Sequence, residues 1–105
     1  MKAILVYITT ASEAEARTIA KVIVTDRLAA CANIIPGMKS IYHWEGKIEE
    51  ESETVLILKT RAELFPAVVD RVTELHGAET PCILSLPVDA GHRPFIDWMM
   101  GETKP

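Results

Sequence analysis

Two thiols, a histidine and a run of glutamates are the groups in this chain that could do chemistry. A Cys31 thiolate would suit Cu(I) or Zn(II), and it stands where a strand should leave the end of a helix. A lone cysteine is not a site, and free cysteines are among the most buried residues. The small neighbours Ala29, Ala30 and Ala32 fit a tightly packed position equally well. Metal binding would need His76, Cys82 or a neighbouring chain at about 2.3 Å from the same ion. His76, at the end of a helical pattern, can ligate a metal or, as imidazolium, meet the negative end of the helix dipole. Lys59 ends an apolar strand just before a helix start. There it can meet an anionic ligand beside free N–H groups or simply extend to the rim. His43 reads as a surface residue on a ribbon and His92 as a turn residue.

The charge distribution narrows the partners. Of the net charge of −4, residues 45–53 supply all of it: Glu45, Glu49, Glu50, Glu51 and Glu53 stand against Lys47. The other 96 residues hold 10 acids and 10 bases, which cancel. Such a cluster can attract cations. It also keeps an exposed strand edge from pairing with other chains. Carboxylates strung along a strand do not form a calcium or magnesium loop unless they converge. The acidic balance argues against a nucleic-acid backbone as the main partner. No nucleophile–base pair, glycine-rich phosphate loop or HExxH motif is present, and Ser12 and Ser85 have no histidine at telling spacing. The reading is therefore not an enzyme.

The elements that must position these groups follow from periodicity. Residues 3–9 are a β-rich apolar run, expected as a strand buried on both faces. Ser12 and Glu15 form a capping box, and Ala16, Ile19, Ala20 and Ile23 give the apolar face of a helix over about 13–27. A second strand starts near Ala30, is interrupted at Pro36-Gly37, and resumes through Trp44. Along it Ile41 and His43 face one way, Tyr42 and Trp44 the other. The chain folds back at Glu45-Gly46 into a third strand, Ile48 to Lys59, acidic in its outer half and apolar over Val55–Leu58. Thr60 and Glu63 read as a second capping box. Phe65, Val68, Val69, Val72 and Leu75 stripe a second helix, with Pro66 in its first turn and Gly77 ending it. Pro81–Pro87 is a fourth strand and Arg93–Met100 a short closing helix.

The order β-α-β-β-α-β implies an α+β, ferredoxin-like sandwich with both helices on one sheet face, a long β2-β3 hairpin and a short C-terminal helix. At 105 residues the whole chain, 1–105, reads as a single domain. Its apolar runs are too short to cross a bilayer and no signal peptide is evident, so a cytoplasmic protein with free thiols is expected. A domain this small cannot cover so long a ribbon alone, which argues against a monomer. Tyr42 and Trp44 then read as packing anchors at a subunit interface.

Leu28-Ala29-Ala30-Cys31-Ala32-Asn33-Ile34-Ile35-Pro36-Gly37, Ile41-Tyr42-His43-Trp44-Glu45-Gly46-Lys47, Leu58-Lys59-Thr60, and His76 followed by Glu79 and Pro81 resemble the CutA divalent-cation-tolerance proteins. The match runs through nearly the whole chain in order and spacing. The resemblance implies a homotrimer whose hairpins add to neighbouring sheets, a role in tolerance of divalent metal ions, and binding of copper or a similar cation. On that footing Cys31, His76 and Glu79 are the candidate metal ligands. The family also resembles the PII signal-transduction proteins in architecture. That supports a second reading, a small-molecule sensor or interaction module with an anionic ligand in an inter-subunit cleft near Asn33, Tyr42, Trp44 and Lys59. Two positions depart from the family pattern: Gly77-Ala78 stands where Pro-Tyr is usual before the glutamate, and Cys82 where an acid is usual. The first removes a ring beside the histidine and the second exchanges an acid for a soft donor.

Overall fold

Alternation along the first strand decides where the core lies. In β1 (Ala3–Thr10), Ile4, Val6, Ile8 and Thr10 are buried while Leu5, Tyr7 and Thr9 are half-covered. The strand was expected to be buried on both faces. Within one chain it is buried on one, because α1 (Glu13–Thr25) and α2 (Phe65–Leu75) both pack on that side. Their Ala16, Ile19, Ala20, Ile23, Val68 and Val72 meet Ile4, Val6, Ile8, Leu56 and Leu58 in a single apolar cluster. The computed structural model describes residues 2–104.

The sheet runs β2-β3-β1-β4, antiparallel throughout, where β2 is Cys31–Trp44, β3 is Lys47–Arg61 and β4 is Ile83–Pro87. This is the ferredoxin-like α+β order. β1 reaches only as far as Thr54 on β3. Beyond that point Met38–Trp44 and Lys47–Glu53 pair with each other alone, as a two-stranded arm. The arm accounts for the 45 Å length of a molecule 26 by 22 Å across. Its turn has two residues, Glu45 (φ 50°) and Gly46 (φ 80°), both left-handed, the conformation whose twist matches the flanking strands. The interruption at Pro36-Gly37 is a bulge: Ile35 opposes Val55 and Met38 opposes Glu53, so β2 carries one residue more than β3 between them.

Several boundaries differ from expectation, and the closing helix runs two residues longer, to Glu102. α1 ends at Thr25, two residues early. Arg27 adopts φ 63°, Arg27 N–H donates to the Val24 carbonyl (3.0 Å) and Leu28 N–H to the Ile23 carbonyl (3.0 Å). That is a Schellman end with arginine where glycine is usual. The second capping box does not form. β3 continues to Arg61, and Thr60 faces the helices, its hydroxyl donating to the Leu28 carbonyl (2.7 Å). A short turn, Ala62–Leu64, precedes α2 with no side-chain cap. At the other end of α2, His76 is extended (φ −82°, ψ 140°), so no left-handed glycine closes the helix. β4 begins at Ile83, because Pro81 has no N–H to give a ladder.

The closing helix, α3 (Arg93–Glu102), lies at the end of β3 away from the arm. Arg61, buried there, donates from Nε to Thr103 Oγ1 (2.8 Å) and from its terminal nitrogen to the Met100 carbonyl. It thereby holds the last carbonyls of α3, where a cation is favoured.

Candidate functional site

Register brings one set of side chains to the helix-free face of the arm. Tyr42 opposes Glu49, Ser40 opposes Glu51 and Met38 opposes Glu53, and cross-strand partners share a face. Between this face and residues 78–82 lies a cleft of about 710 Å³. The arm contributes Tyr42, Trp44, Glu49, Glu51 and Glu53, and the far wall contributes Glu79 and Cys82. Its floor is Tyr7 and Thr9 of β1, and among the described residues no basic side chain lines it.

The polar groups of the arm are partly paired with one another. Tyr42 Oη donates to Glu51, and Ser40 Oγ donates to Glu53 Oε1 (2.5 Å). The bond to Glu51, with desolvation and the charges of Glu51, Glu53 and Glu49 behind it, pushes the Tyr42 phenol up to about 12. A neutral phenol amid carboxylates is the result. Glu49 and Glu79 have no side-chain partner among the described residues. Alternate residues of a strand are about 6.6 Å apart, whereas a hard cation needs every oxygen within about 2.6 Å. The three arm carboxylates are strung out along the strand, and among the described residues no three acidic, histidine or cysteine groups converge on one point.

The candidate ligands from sequence fall in separate places. Cys31, half-buried, opposes Lys59, which opposes Leu5. His76 lies at the Thr9 end of β1. Four residues along a strand and two strand spacings across separate them, about 13 Å by 10 Å. His76 and Cys31 of one chain cannot share an ion. Glu79 is exposed on the cleft wall. Of the expected ligand-cleft residues, Tyr42 and Trp44 line the cleft. Asn33, opposite Ile57, and Lys59, whose Nζ sits 5.5 Å from the Phe95 ring centroid, lie outside it. This cleft within one chain is walled by carboxylates, the wrong polarity for an anionic ligand.

His76 is tied down within the chain. Its side chain is only 5% exposed. The Ala78 N–H donates to Nδ1 (3.0 Å), so Nδ1 is unprotonated, and Nε2–H donates to the Thr9 carbonyl (2.7 Å). Neither nitrogen has a lone pair free for a metal. Glu15, 4.0 Å from Nδ1, accepts from the Ala11 N–H (2.9 Å) and the Gly77 N–H (2.7 Å). Burial pushes the Glu15 carboxyl up, but those two N–H bonds and His76 outweigh it and hold the carboxyl below its usual value. The capping-box motif identified Glu15 only as a helix cap. Its second oxygen, reaching across 62 residues of sequence, had no local signal. The common facing of Glu49, Glu51 and Glu53 was present in their period-2 spacing.

The sequence profile of the CutA1 divalent ion tolerance protein family matches residues 4–102. The divalent-cation tolerance protein CutA of Thermus thermophilus is 47% identical over 98 residues, 93% of this chain and 95% of that protein. Its solved structure superposes with a TM-score of 0.95 at 45% identity, covering 97% of this chain and 99% of the other. A structure described as the periplasmic divalent cation tolerance protein CutA of Archaeoglobus fulgidus gives a TM-score of 0.94 at 43% identity, covering 97% and 99%. The chloroplastic protein CutA 1 of Oryza sativa is 36% identical over 101 residues, 96% of this chain but 57% of the rice protein. The chain thus spans little more than half the length of its plant relative.

Proposed function

The chain belongs to the CutA1 divalent ion tolerance family, and from that premise we propose that it serves tolerance of divalent cations as a homotrimer. In this reading it holds copper or a similar ion loosely on the carboxylate face of the hairpin arm. The observation that carries the reading is the cleft: Glu49, Glu51, Glu53 and Glu79 line it without a base. Spaced carboxylates concentrate cations through their summed field without building a tight centre. Calorimetric titration of metal-free protein with Cu²⁺ and Zn²⁺ tests it. The expected result is saturable binding with a dissociation constant on the order of 0.1 mM, weakened in a Glu49→Gln/Glu51→Gln/Glu53→Gln variant and unchanged in Cys31→Ser. No saturable binding, or equal affinity in the triple variant, overturns the reading.

The size of the cleft favours a second reading, a PII-like small-molecule sensor. About 710 Å³ falls within the range of small-molecule sites, and its aromatic and acidic walls suit a neutral or cationic compound. A thermal-shift screen separates the two, because a ligand stabilises by mass action: shifts with metabolites and none with metals favour the sensor. Among the described residues no helix is long and apolar enough to cross a membrane. Both cysteines are unpaired, as suits a reducing compartment. A cytoplasmic location is part of the proposal, and imaging of a tagged chain tests it.

A further inference from the structure

The wall of the cleft hangs from two consecutive amides. Gly77 N–H is held by Glu15 Oε2 (2.7 Å) and Ala78 N–H by His76 Nδ1 (3.0 Å). Among the described residues no other hydrogen bond secures residues 77–81, and 77–80 are exposed. One of the two anchors is a titratable ring.

We propose that His76 is a proton-operated latch on this wall: protonation breaks the Ala78 N–H···Nδ1 bond, turns the ring's charge to Glu15 and releases residues 77–82 from the cleft. The neutral ring accepts at Nδ1 and donates at Nε2, and both bonds are made. A proton can add only at Nδ1, since Nε2 already carries one. The new N–H would then point at the Ala78 N–H, a donor facing a donor. The same proton finds a carboxylate 4.0 Å away on Glu15. Charge-assisted bonds of this kind exceed neutral ones in strength, so the ring changes partner rather than losing one. Glu15 Oε2, which also holds the Gly77 amide (2.7 Å), is then shared with the imidazolium, so both anchors meet at the one carboxylate.

The groups facing the ring are few. α1 presents Glu15, β1 presents the Thr9 carbonyl, and the following segment presents the Ala78 amide. On α2 itself, Glu74 is paired with Arg71 (3.5 Å), and Glu79 on the segment is exposed. Glu15, held below its usual carboxyl value, remains ionised where imidazoles titrate, so the acceptor is in place when the proton arrives. The wall carries Glu79 and Cys82 into the cleft, and its release would open the cleft on mild acidification. The latch is independent of which ligand the cleft takes.

The test is a pH titration of isotope-labelled full-length protein by NMR, from pH 8 to 5. The Gly77, Ala78 and Glu79 amides should move with the midpoint of the His76 ring. Ala78 should lose at least tenfold of its hydrogen-exchange protection below that midpoint. His76→Gln, which can still donate to the Thr9 carbonyl but cannot titrate, should abolish both responses. Glu15→Gln should lower the ring's midpoint. The proposal is overturned if His76 does not titrate in this range, if it titrates while the three amides stay still, or if their response survives in His76→Gln.

Discussion

The body of the molecule and its arm obey opposite rules of burial. In the body Ile8, Leu56 and Leu58 are wholly enclosed by the chain's own helices. In the arm Ile41, Trp44 and Ile48 are 68%, 55% and 62% exposed, although the strands that carry them are continuous with the body. One strand, β3, thus passes from a covered core to an open ribbon within a few residues of Thr54, where β1 stops. A two-stranded ribbon with apolar residues on both faces is marginal alone. The contrast teaches that the body of this sheet is covered by its own chain, whereas the arm leaves large apolar side chains uncovered within one chain.

The largest expected effect tests the covered half. Leu56→Ala should cost about 3 kcal/mol in denaturant unfolding, from lost transfer energy and a residual cavity. Ile48→Ala, on the arm, should cost under about 0.5 kcal/mol if solvent is its true environment. If sister chains cover it, the loss should rise and depend on protein concentration. Equal, concentration-independent losses at the two sites would erase the distinction between body and arm.

A smaller effect concerns the junction of α1 with the segment after α2. The Glu15 carboxyl is held lower in the folded chain than in the unfolded one. Its stabilisation is therefore complete above the unfolded carboxyl value and is lost as pH falls through the lowered folded value. Glu15→Gln should flatten that acidic limb of the stability curve while leaving neutral-pH unfolding cooperative. An unchanged limb would mean that other carboxylates set it.

Local rules made most of this fold legible. The Glu45-Gly46 turn, the Pro36-Gly37 bulge and the Ser12 cap, whose Oγ accepts from the Glu15 N–H (3.1 Å), all rest on chemistry within a few residues. What escaped was set by distant partners. Thr60 looks like a helix cap until the Leu28 carbonyl is seen to take its hydroxyl. Arg27 takes a left-handed conformation that its residue type does not announce. The candidate site fared less well for the same reason. Cys31 and His76 have suitable donors, but only the strand register reveals that opposite ends of the sheet carry them. Conversely, Glu49, Glu51 and Glu53 read equally as a guard on an exposed strand edge until the cross-strand pairing places them on the face of Tyr42 and Trp44.

The mass of the protein in dilute solution tests most directly whether like chains cover the arm. Light scattering coupled to size exclusion, carried to micromolar concentration, should give three times the 11.6 kDa of one chain, with Trp44→Ala shifting the particle toward smaller species. A folded particle of single-chain mass, unaffected by that substitution, would contradict the account.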